Sequence, residues 1–190
     1  MCGIAGYLGI TPNPIICLNK MAEAISHRGP DNSGNWVDES EGIGFAHARL
    51  SILDLSSAGN QPMHSASKNF VMIFNGEIYN HLALRSELDL INQRHWNGHS
   101  DTETLLVAIE EWGLDRTLKK AKGMFAIALW DKSSKNLSLA CDRVGEKPIY
   151  YGWVNNQFVF ASELKAIKKF PEFKNAIDRS SLALFLRLNS

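Results

Sequence analysis

Apolar residues along the chain gather in short runs separated by turn-forming residues, with stretches of helical spacing between them. Runs of strand length predict β-strands at residues 3–9, 42–53, 124–130, 137–141, 149–154 and 157–161, with two further apolar runs in 70–79. Helical patterning predicts helices over residues 15–26, 81–93 and 101–112. This order lacks the regular strand–helix alternation of a parallel sheet, so we expect an α+β fold of antiparallel sheets flanked by helices.

Turn-forming residues and caps add three local predictions. Residues 27–34 (HRGPDNSG) have the composition of a loop. The dipeptide Asn75-Gly76 lies between two apolar runs and predicts a hairpin turn. Ser100 and Glu103 match a capping box and so mark the beginning of the helix over 101–112.

Composition narrows the class of protein. The 190 residues are 45% hydrophobic and 21% charged, which fits one globular domain with a sizeable core. The 20 basic and 20 acidic residues cancel, which argues against nucleic acid or an acidic membrane as a partner. No apolar run approaches the ~20 residues of a membrane span and no signal-peptide pattern is visible, so we predict a cytoplasmic protein. Three widely spaced cysteines form neither a disulfide framework nor a metal-ligand pattern.

Candidate chemistry begins at Cys2, directly after Met1. If an aminopeptidase removes Met1, one residue carries both a thiol nucleophile and a free α-amine, whose pKa of roughly 8 suits a base near neutral pH. The alternative is a peripheral cysteine at a frayed terminus. Amide hydrolysis by a thiol also needs donors for the oxyanion and groups that hold the substrate, so the rest of the chain decides between the two.

Downstream residues offer those groups, each with an ordinary structural alternative. The Asn75 amide and the Gly76 backbone N–H could donate to an oxyanion, and a turn would aim both donors. Arg49, in the stretch AHARLSIL, could clamp a carboxylate or could face solvent from a strand. Asp101 could bind an ammonium or only cap its helix, and Glu77 could bind an ammonium or be an ordinary polar strand residue.

Eight short motifs, taken together and in order, carry a family resemblance that none carries alone. They are MCGIAG (1–6), HRGPD (27–31), RLSI (49–52), FNGEIYN (74–80), SDTE (100–103), GMFA (123–126), DRVGEKPIYY (142–151) and ASELKA (161–166). With them, the chain resembles the glutaminase domain of glutamine-dependent asparagine synthetases over essentially residues 2–190. Those domains are class II glutamine amidotransferases with an N-terminal nucleophile. The resemblance implies a four-layer αββα sandwich with two antiparallel sheets, of the N-terminal nucleophile hydrolase type.

The resemblance also implies roles for the candidate catalytic residues. Cys2 would attack the carboxamide of glutamine, and its α-amine would assist proton transfer, directly or through a water. The Asn75 side chain and the Gly76 N–H would hold the tetrahedral oxyanion. Ammonia would leave, and water would hydrolyse the γ-glutamyl thioester to glutamate.

Substrate recognition is implied in the same way. Arg49 would bind the α-carboxylate of glutamine, and Asp101 with Glu77 would bind its α-ammonium. Backbone groups of Ile52 and Leu53 would line the site. Free glutamine carries both charges on one carbon, so this set would reject glutamine within a peptide.

The resemblance gives Arg28 and Gly29 a supporting place near the nucleophile. A Cys–His dyad through His27, His47 or His81 is not expected, because the terminal amine is the base in the resembling family. Glu163 and Lys165 are either structural or face a partner domain and the path of ammonia. The aromatic residues of the last two strands are expected in the core: Tyr150, Tyr151, Trp153, Phe158 and Phe160.

The end of the chain shapes the expected organisation. We expect an amidotransferase domain over residues 2–175 and, over 176–190, the start of a linker to a synthetase domain that lies outside this sequence. ATP and magnesium would belong to that absent domain; no cofactor or metal is expected here. Residues 178–190 predict an apolar helix, which should pack on the domain, make a dimer contact with a second copy, or be disordered.

Two other functions stay open at the level of sequence. The ammonia could serve another carboxylate acceptor, such as a sugar acid or an antibiotic precursor, because the absent domain reads the acceptor. The chain could instead be a non-catalytic, amidotransferase-like binding domain. Retention of Met1 would favour that alternative, because Cys2 would then lack a free amine.

Overall fold

A computed structural model describes residues 1–188 and contains nine strands and six α-helices within that range. The strands are β1 (Gly3–Leu8), β2 (Asn32–Asp38), β3 (Ile43–Arg49), β4 (Met63–His64), β5 (Phe70–Ile78), β6 (Gly123–Asp131), β7 (Asn136–Cys141), β8 (Tyr150–Val154) and β9 (Gln157–Ala161). The helices are α1 (Pro14–Ala24), α2 (His81–Ile91), α3 (Asp101–Trp112), α4 (Leu114–Lys120), α5 (Leu164–Ile167) and α6 (Arg179–Leu188).

The strands form two antiparallel sheets. The first sheet has the order β2-β3-β1-β9-β8, so β1, which follows Cys2, lies at its centre between β3 and β9. The second sheet has the order β4-β5-β6-β7, and β5 pairs with β6 along its whole length. The N-terminus of the chain is therefore held by a central strand rather than left at a frayed end.

The two sheets stack face to face, and helices cover both outer faces. In β6 the alternation is strict: Phe125, Ile127 and Leu129 pack with α2 and α3, whereas the intervening residues pack against the first sheet. On the other side of the molecule, α1 and α5 cover the outer face of the first sheet. The order of layers is helix, sheet, sheet, helix, so the predicted α+β fold with two antiparallel sheets is confirmed.

The predicted hairpin turn at Asn75-Gly76 is wrong. Strand β5 runs without interruption through both residues, with Asn75 opposite Ala126 and Gly76 opposite Phe125 in β6. The two apolar runs are one strand whose two faces are both buried. The polar dipeptide interrupts the pattern because it faces a cavity, and not because the chain turns.

The predicted loop over 27–34 is only partly correct. A 3₁₀ turn covers Ser26–Arg28, and β2 begins at Asn32, where it pairs with Arg49 at the end of β3. The predicted strand over 42–53 ends at Arg49, and strand β2 and the short elements β4, α4 and α5 were not predicted. Edge strands with exposed polar residues, such as β2, lack the alternation on which a sequence-based prediction depends.

The expectation that the aromatic residues of β8 and β9 lie in the core holds for only part of the set. Phe160 is fully buried, but Tyr151 is 67% exposed and Trp153 is 72% exposed. Strand β8 is an edge strand of the first sheet. Its aromatic side chains therefore pack on Phe158 from outside rather than within a layer.

Helix α6 confirms a helix near the end of the chain, although predicted positions 189 and 190 lie outside the described residues. None of its described side chains is buried, and Leu186 and Leu188 are among the exposed ones. The expectations that this segment packs on the domain or is disordered are therefore wrong, and a contact with a second copy remains a prediction. None of the helices described between residues 1 and 188 is long and apolar enough to cross a bilayer.

Candidate active site

A cavity of about 650 Å³, open to solvent, lies where the layer between the two sheets reaches the N-terminal end of β1. Its wall includes all eight of the residues expected to act in catalysis or to bind substrate: Cys2, Arg49, Ile52, Leu53, Asn75, Gly76, Glu77 and Asp101. The fold thus gathers residues from four distant parts of the chain into one site.

Cys2 is half-buried at the cavity wall, directly before β1. Its Sγ accepts a hydrogen bond from the Leu50 amide at 3.4 Å and lies 3.6 Å from the Leu50 carbonyl oxygen, to which the thiol donates. Burial raises the pKa of the Cys2 thiol, and this outweighs the opposing effects of the Leu50 hydrogen bond, the terminal ammonium and Arg49. At neutral pH the sulfur therefore keeps its proton, and nucleophilic attack needs a base.

Met1 carries the α-amine in this structure, and its side chain also lies in the cavity wall. The Met1 Sδ accepts a hydrogen bond from Lys147 Nζ at 2.7 Å. Removal of Met1 would free the α-amine of Cys2 and would open the part of the cavity that the Met1 side chain occupies.

Asn75 is a buried amide without a protein partner. Its side chain projects from β5 into the cavity and is 1% exposed, yet neither Oδ1 nor Nδ2 has a hydrogen-bond partner within residues 1–188. An unpaired buried amide costs roughly 1–3 kcal/mol, and native proteins keep few of them. A group left unpaired at a cavity wall is therefore available to a ligand.

The backbone N–H of Gly76 points to the same cavity. Tyr79 N–H donates at 2.8 Å to the carbonyl oxygen of Lys122, directly before β6, and hydrogen-bonded pairs alternate along an antiparallel ladder. The N–H groups of Phe74, Gly76 and Ile78 therefore point away from β6. The first donates to Gln61 Oε1 at 2.6 Å and the third to Asp101 Oδ2 at 2.9 Å, and Gly76 lies between them.

Gly76 also has to be a glycine for steric reasons. A Cβ atom at this position would overlap the Met124 carbonyl oxygen and the Phe125 backbone. The absence of a side chain lets β5 lie flat against β6 and leaves the Gly76 amide accessible from the cavity.

Arg49, the last residue of β3, presents a buried guanidinium held by neutral acceptors. Nη1 donates to Ser56 O at 2.9 Å and to Asn60 Oδ1 at 2.6 Å, and Nη2 donates to Asp54 O. Within residues 1–188 no carboxylate forms an ion pair with it. A buried cation without a counter-charge at a cavity wall is suited to an anionic ligand.

Asp54, which sequence analysis missed, fixes the loop that surrounds Arg49. Its Oδ1 accepts from the Ser56 hydroxyl at 2.6 Å and its Oδ2 from the His99 amide at 2.8 Å. Hydrogen bonds from these two residues hold the pKa of Asp54 at about 2, so it is an anion at every physiological pH. The Asp-x-Ser spacing, which favours a local side-chain turn, was the available signal.

The two acidic candidates, Asp101 and Glu77, also line the cavity. Asp101 accepts the Ile78 N–H, and burial raises its pKa above the ordinary value. It does not cap α3, because Ser100 does so by accepting the Glu103 N–H at 3.2 Å. Glu77 lies two residues beyond Asn75 on β5 and therefore on the same face.

The predicted capping box is only half formed. The Ser100 hydroxyl caps the helix as expected, but the Glu103 carboxylate turns to the Asn97 and Gly98 amides at 2.8 and 3.0 Å. Arg85 donates to the same carboxylate and to the Gly98 carbonyl oxygen. The bonds of Glu103 thus order the segment before α3, which carries Asp101.

Arg28 and Gly29 lie beside the nucleophile but not in the cavity wall. Arg28 Nε donates to the Cys2 carbonyl oxygen at 2.9 Å, and its Nη1 donates to Glu163 Oε1 at 2.9 Å. Gly29 packs so closely on the backbone of Ala48 and Arg49 that a Cβ atom would overlap it. Both residues hold the backbone on which Cys2 and Arg49 are mounted.

Glu163 anchors Arg28 within a charged cluster. His27 Nε2 and Lys165 Nζ each lie 3.0 Å from its carboxylate. Although burial alone would raise it, the hydrogen bonds from Arg28, Lys165 and His27 hold the pKa of Glu163 at about 2. Both Glu163 and Lys165 therefore have a structural role here, behind the Cys2 carbonyl.

None of the three candidate histidines contacts the Cys2 thiol. His27 binds Glu163, and His81 Nδ1 lies 3.0 Å from the Ile78 carbonyl oxygen. His47 is buried between the sheets, where its Nε2 donates to the Phe74 carbonyl oxygen at 3.2 Å. Burial lowers the pKa of His47 to about 4, so this histidine is neutral and supports β5 beside Asn75.

Comparisons with known proteins agree with this geometry. The sequence model of a family described as "Glutamine amidotransferase domain" matches residues 1–190. Asparagine synthetase (glutamine-hydrolyzing) 1 of Bacillus subtilis is 40% identical over 172 residues, which cover 88% of this chain and 26% of that protein. Asparagine synthetase (glutamine-hydrolyzing) 3 of the same organism is 36% identical over 188 residues, which cover 96% of this chain and 30% of that protein.

A solved structure supports the fold independently. The glutamine phosphoribosylpyrophosphate amidotransferase of B. subtilis superposes with a TM-score of 0.75 at 21% identity, covering 88% of this chain and 43% of that one. The expected fold, with two antiparallel sheets between helical layers, is thereby confirmed. The chain spans less than a third of the length of the two asparagine synthetases described above.

Proposed function

The chain belongs to the glutamine amidotransferase domain family, and from that premise we propose that its cavity hydrolyses free glutamine to glutamate and ammonia. The observation that carries the proposal is the buried amide of Asn75, which has no partner among residues 1–188 and lies beside the Gly76 N–H in the same wall as the Cys2 thiol. Two such hydrogen-bond donors can stabilise the oxyanion that forms when a nucleophile attacks a carboxamide.

The first half of the proposed reaction forms a thioester. After removal of Met1, the free α-amine of Cys2 takes the thiol proton, and Sγ attacks the side-chain carboxamide carbon of glutamine. The carbonyl electron pair moves to oxygen, where the Asn75 Nδ2 and the Gly76 N–H stabilise it. The protonated amine then gives its proton to the leaving nitrogen, the C–N bond breaks and ammonia departs.

The second half releases glutamate. The same amine, again neutral, takes a proton from a water that attacks the γ-glutamyl thioester carbon. A second oxyanion forms between the same two donors and collapses with breakage of the C–S bond. The thiol of Cys2 recovers its proton, and the site returns to its starting state.

Substrate selection follows from the charges in the cavity wall. Arg49, which forms no ion pair with a carboxylate of the described residues 1–188, binds the α-carboxylate of glutamine, and Asp101 with Glu77 binds the α-ammonium. Ile52 and Leu53 lie on the same rim and contribute backbone groups. A glutamine within a peptide lacks both charges on its α-carbon, so the site accepts the free amino acid.

The ammonia is proposed to serve a synthetase domain outside this sequence, because the asparagine synthetases described above extend well beyond the matched region. That domain would amidate aspartate with ATP and magnesium. Another carboxylate acceptor is the alternative within the same reaction class. The steps proposed for this domain use only side chains, backbone groups and the α-amine, so we propose that it works without a cofactor.

Intact mass spectrometry combined with a glutamine-analogue electrophile tests the proposal. We expect a mass that lacks Met1 and gains one adduct, and Cys2→Ser should abolish the adduct. Cys141→Ser is the matched control, because Cys141 is exposed and lies outside the cavity. Retention of Met1 without an adduct would instead support a non-catalytic binding domain.

A further inference from the structure

The loop after β7 is built to hold one lysine at the cavity. The Asp142 carboxylate accepts hydrogen bonds from four backbone amides, those of Phe125 (3.1 Å), Val144 (3.2 Å), Glu146 (2.9 Å) and Lys147 (3.1 Å). Phe125 is the residue of β6 that pairs with Gly76. The backbone at Lys147 is therefore fixed relative to the strand pair that carries Asn75 and Gly76.

The Lys147 side chain lies in the cavity wall without a counter-charge. The residue is 5% exposed, and its Nζ takes part in no ion pair within residues 1–188. The one hydrogen-bond acceptor described for this ammonium is Met1 Sδ, and a thioether sulfur is a weak acceptor. Loss of Met1 therefore leaves an ammonium at the cavity wall with neither a charged partner nor its sulfur acceptor.

The position of Met1 also limits how far that ammonium can be from the new N-terminus. The Met1 side chain and carbonyl together span at most about 6 Å between Sδ and the Cys2 nitrogen. Lys147 Nζ lies 2.7 Å from Sδ. The two nitrogens are therefore within about one Debye length of each other, and the half-closed cavity screens their interaction less than bulk solvent would.

We propose that Lys147 is a positioning residue whose ammonium keeps the α-amine of processed Cys2 unprotonated and favours the Cys2 thiolate. A cation nearby disfavours a second positive charge on the amine and stabilises a negative charge on sulfur. Both effects favour the state in which the amine can accept the thiol proton. This inference rests on the proposed function, in which that amine is the base.

Other charges facing Cys2 explain why such a cation would be needed. Asp101 and Glu77 lie in the same wall, where their negative charges would favour a protonated amine, whereas the positive charge of Arg49 would oppose them. Arg28 acts from behind, on the Cys2 carbonyl, and its charge is matched by Glu163. Arg49 is also proposed to bind the substrate carboxylate, which would neutralise its charge when glutamine binds. The Lys147 ammonium would then still act on the amine.

The pH profile of kcat/KM for glutamine tests the role of Lys147. For Lys147→Met we expect the acidic limb to move to higher pH by about 0.5–1 pH unit, with a loss of about 3–10-fold at pH 7 that disappears near pH 9. Lys147→Arg should restore the wild-type profile, because it keeps the charge. Lys169→Met, which removes an exposed ammonium outside the cavity, is the matched control.

A second measurement does not depend on turnover. The rate at which iodoacetamide alkylates Cys2, measured in a Cys141→Ser background, should show the same displacement in Lys147→Met. A uniform loss of rate at every pH, or a rise in KM alone, would overturn the inference and assign Lys147 to structure or to substrate binding. If wild-type protein neither loses Met1 nor hydrolyses glutamine, the proposed function itself fails, whatever Lys147 does.

Discussion

Strand β5 of one sheet and strands β3 and β1 of the other face each other, and the layer between them is hydrophobic core at one end and reactive cavity at the other. On β5, Val71 and Ile73 pack between the sheets, whereas Asn75 and Glu77, on the same face, line the cavity. Strands β3 and β1 change in the same way, from Phe45 to Arg49 and from Ile4 to Cys2. The two-residue period of a strand therefore determines on which face of the sheet a side chain lies. Whether that side chain packs in the core or lines the cavity depends on how close it lies to the open end of the layer between the sheets.

The two ends should respond oppositely to substitution. At the core end, a side chain contributes to the free energy of unfolding and has no contact with substrate. At the cavity end, within residues 1–188, the Asn75 amide has no hydrogen-bond partner and the hydrogen-bonded Arg49 guanidinium has no carboxylate in an ion pair with it. Such groups lower the free energy of unfolding but are available to bind a ligand. Substitutions that remove them should therefore reduce activity more than the free energy of unfolding.

The largest expected effect is that of Cys2→Ala, which removes the nucleophile. Glutamate release should fall below detection, while the thermal unfolding midpoint stays close to that of the wild type because the side chain is small and half-buried. A coupled glutamate assay and calorimetry on the same preparation give both values. Residual turnover well above the uncatalysed rate would mean that another group attacks the carboxamide.

Asn75→Ala should follow, with a loss of about 10²–10³ in kcat, or roughly 3–4 kcal/mol of transition-state stabilisation. Because the replaced amide is buried without a partner, the free energy of unfolding should not fall as it would for a core residue. Steady-state kinetics and urea unfolding measure the two quantities. A stable variant with wild-type kcat would remove Asn75 from the oxyanion site.

Ile73→Ala, two residues earlier on the same face, is the core counterpart of Asn75→Ala. Deleting a fully buried isoleucine should lower the free energy of unfolding by about 2–5 kcal/mol. At temperatures where the variant stays folded, kcat should be close to that of the wild type. A large loss of kcat in folded protein would show that the two ends of β5 are not separable.

The smallest of these effects concerns His47, which lies between the two ends. Its folded-state pKa of about 4 is below the unfolded value of 6.5, so the unfolded chain binds the proton more readily. Stability should therefore fall as pH drops from about 6.5 towards 4, by up to about 3 kcal/mol.

His47→Gln should flatten that part of the stability profile, because glutamine can donate to the Phe74 carbonyl oxygen without titrating. Urea unfolding at closely spaced pH values between 4 and 7 measures it. An unchanged slope would mean that groups other than His47 produce it; Asp101 is not one of them, because its raised pKa makes stability rise as pH falls.

Local patterns in the sequence predicted most of the strands and helices but not the position of the cavity between the sheets. Alternating and helical runs gave the strands around β1, β5 and β6 and the helices α2 and α3. The Asn75-Gly76 turn was wrong because a dipeptide that favours a turn also occurs in a strand when a cavity requires an amide and a close approach.

The residues that sequence analysis missed are those whose role depends on distant partners. Lys147 is next to Met1 only after the whole chain has folded, and Gln61 reaches β5 from a loop. Asp54 gave a weak local signal through its turn with Ser56, but its bond to His99 joins two loops. Residue chemistry alone named six of the eight site residues as candidates, each with a structural alternative; the family resemblance added Ile52 and Leu53 and assigned the roles.

The proposed glutamine site is best tested by a crystal structure of the Cys2→Ala protein, lacking Met1, with glutamine bound. We expect the carboxamide oxygen to lie within hydrogen-bond distance of both Asn75 Nδ2 and Gly76 N, with the α-carboxylate bound to Arg49. Glutamine bound with its carboxamide turned away from Asn75, or bound outside this cavity, would contradict it.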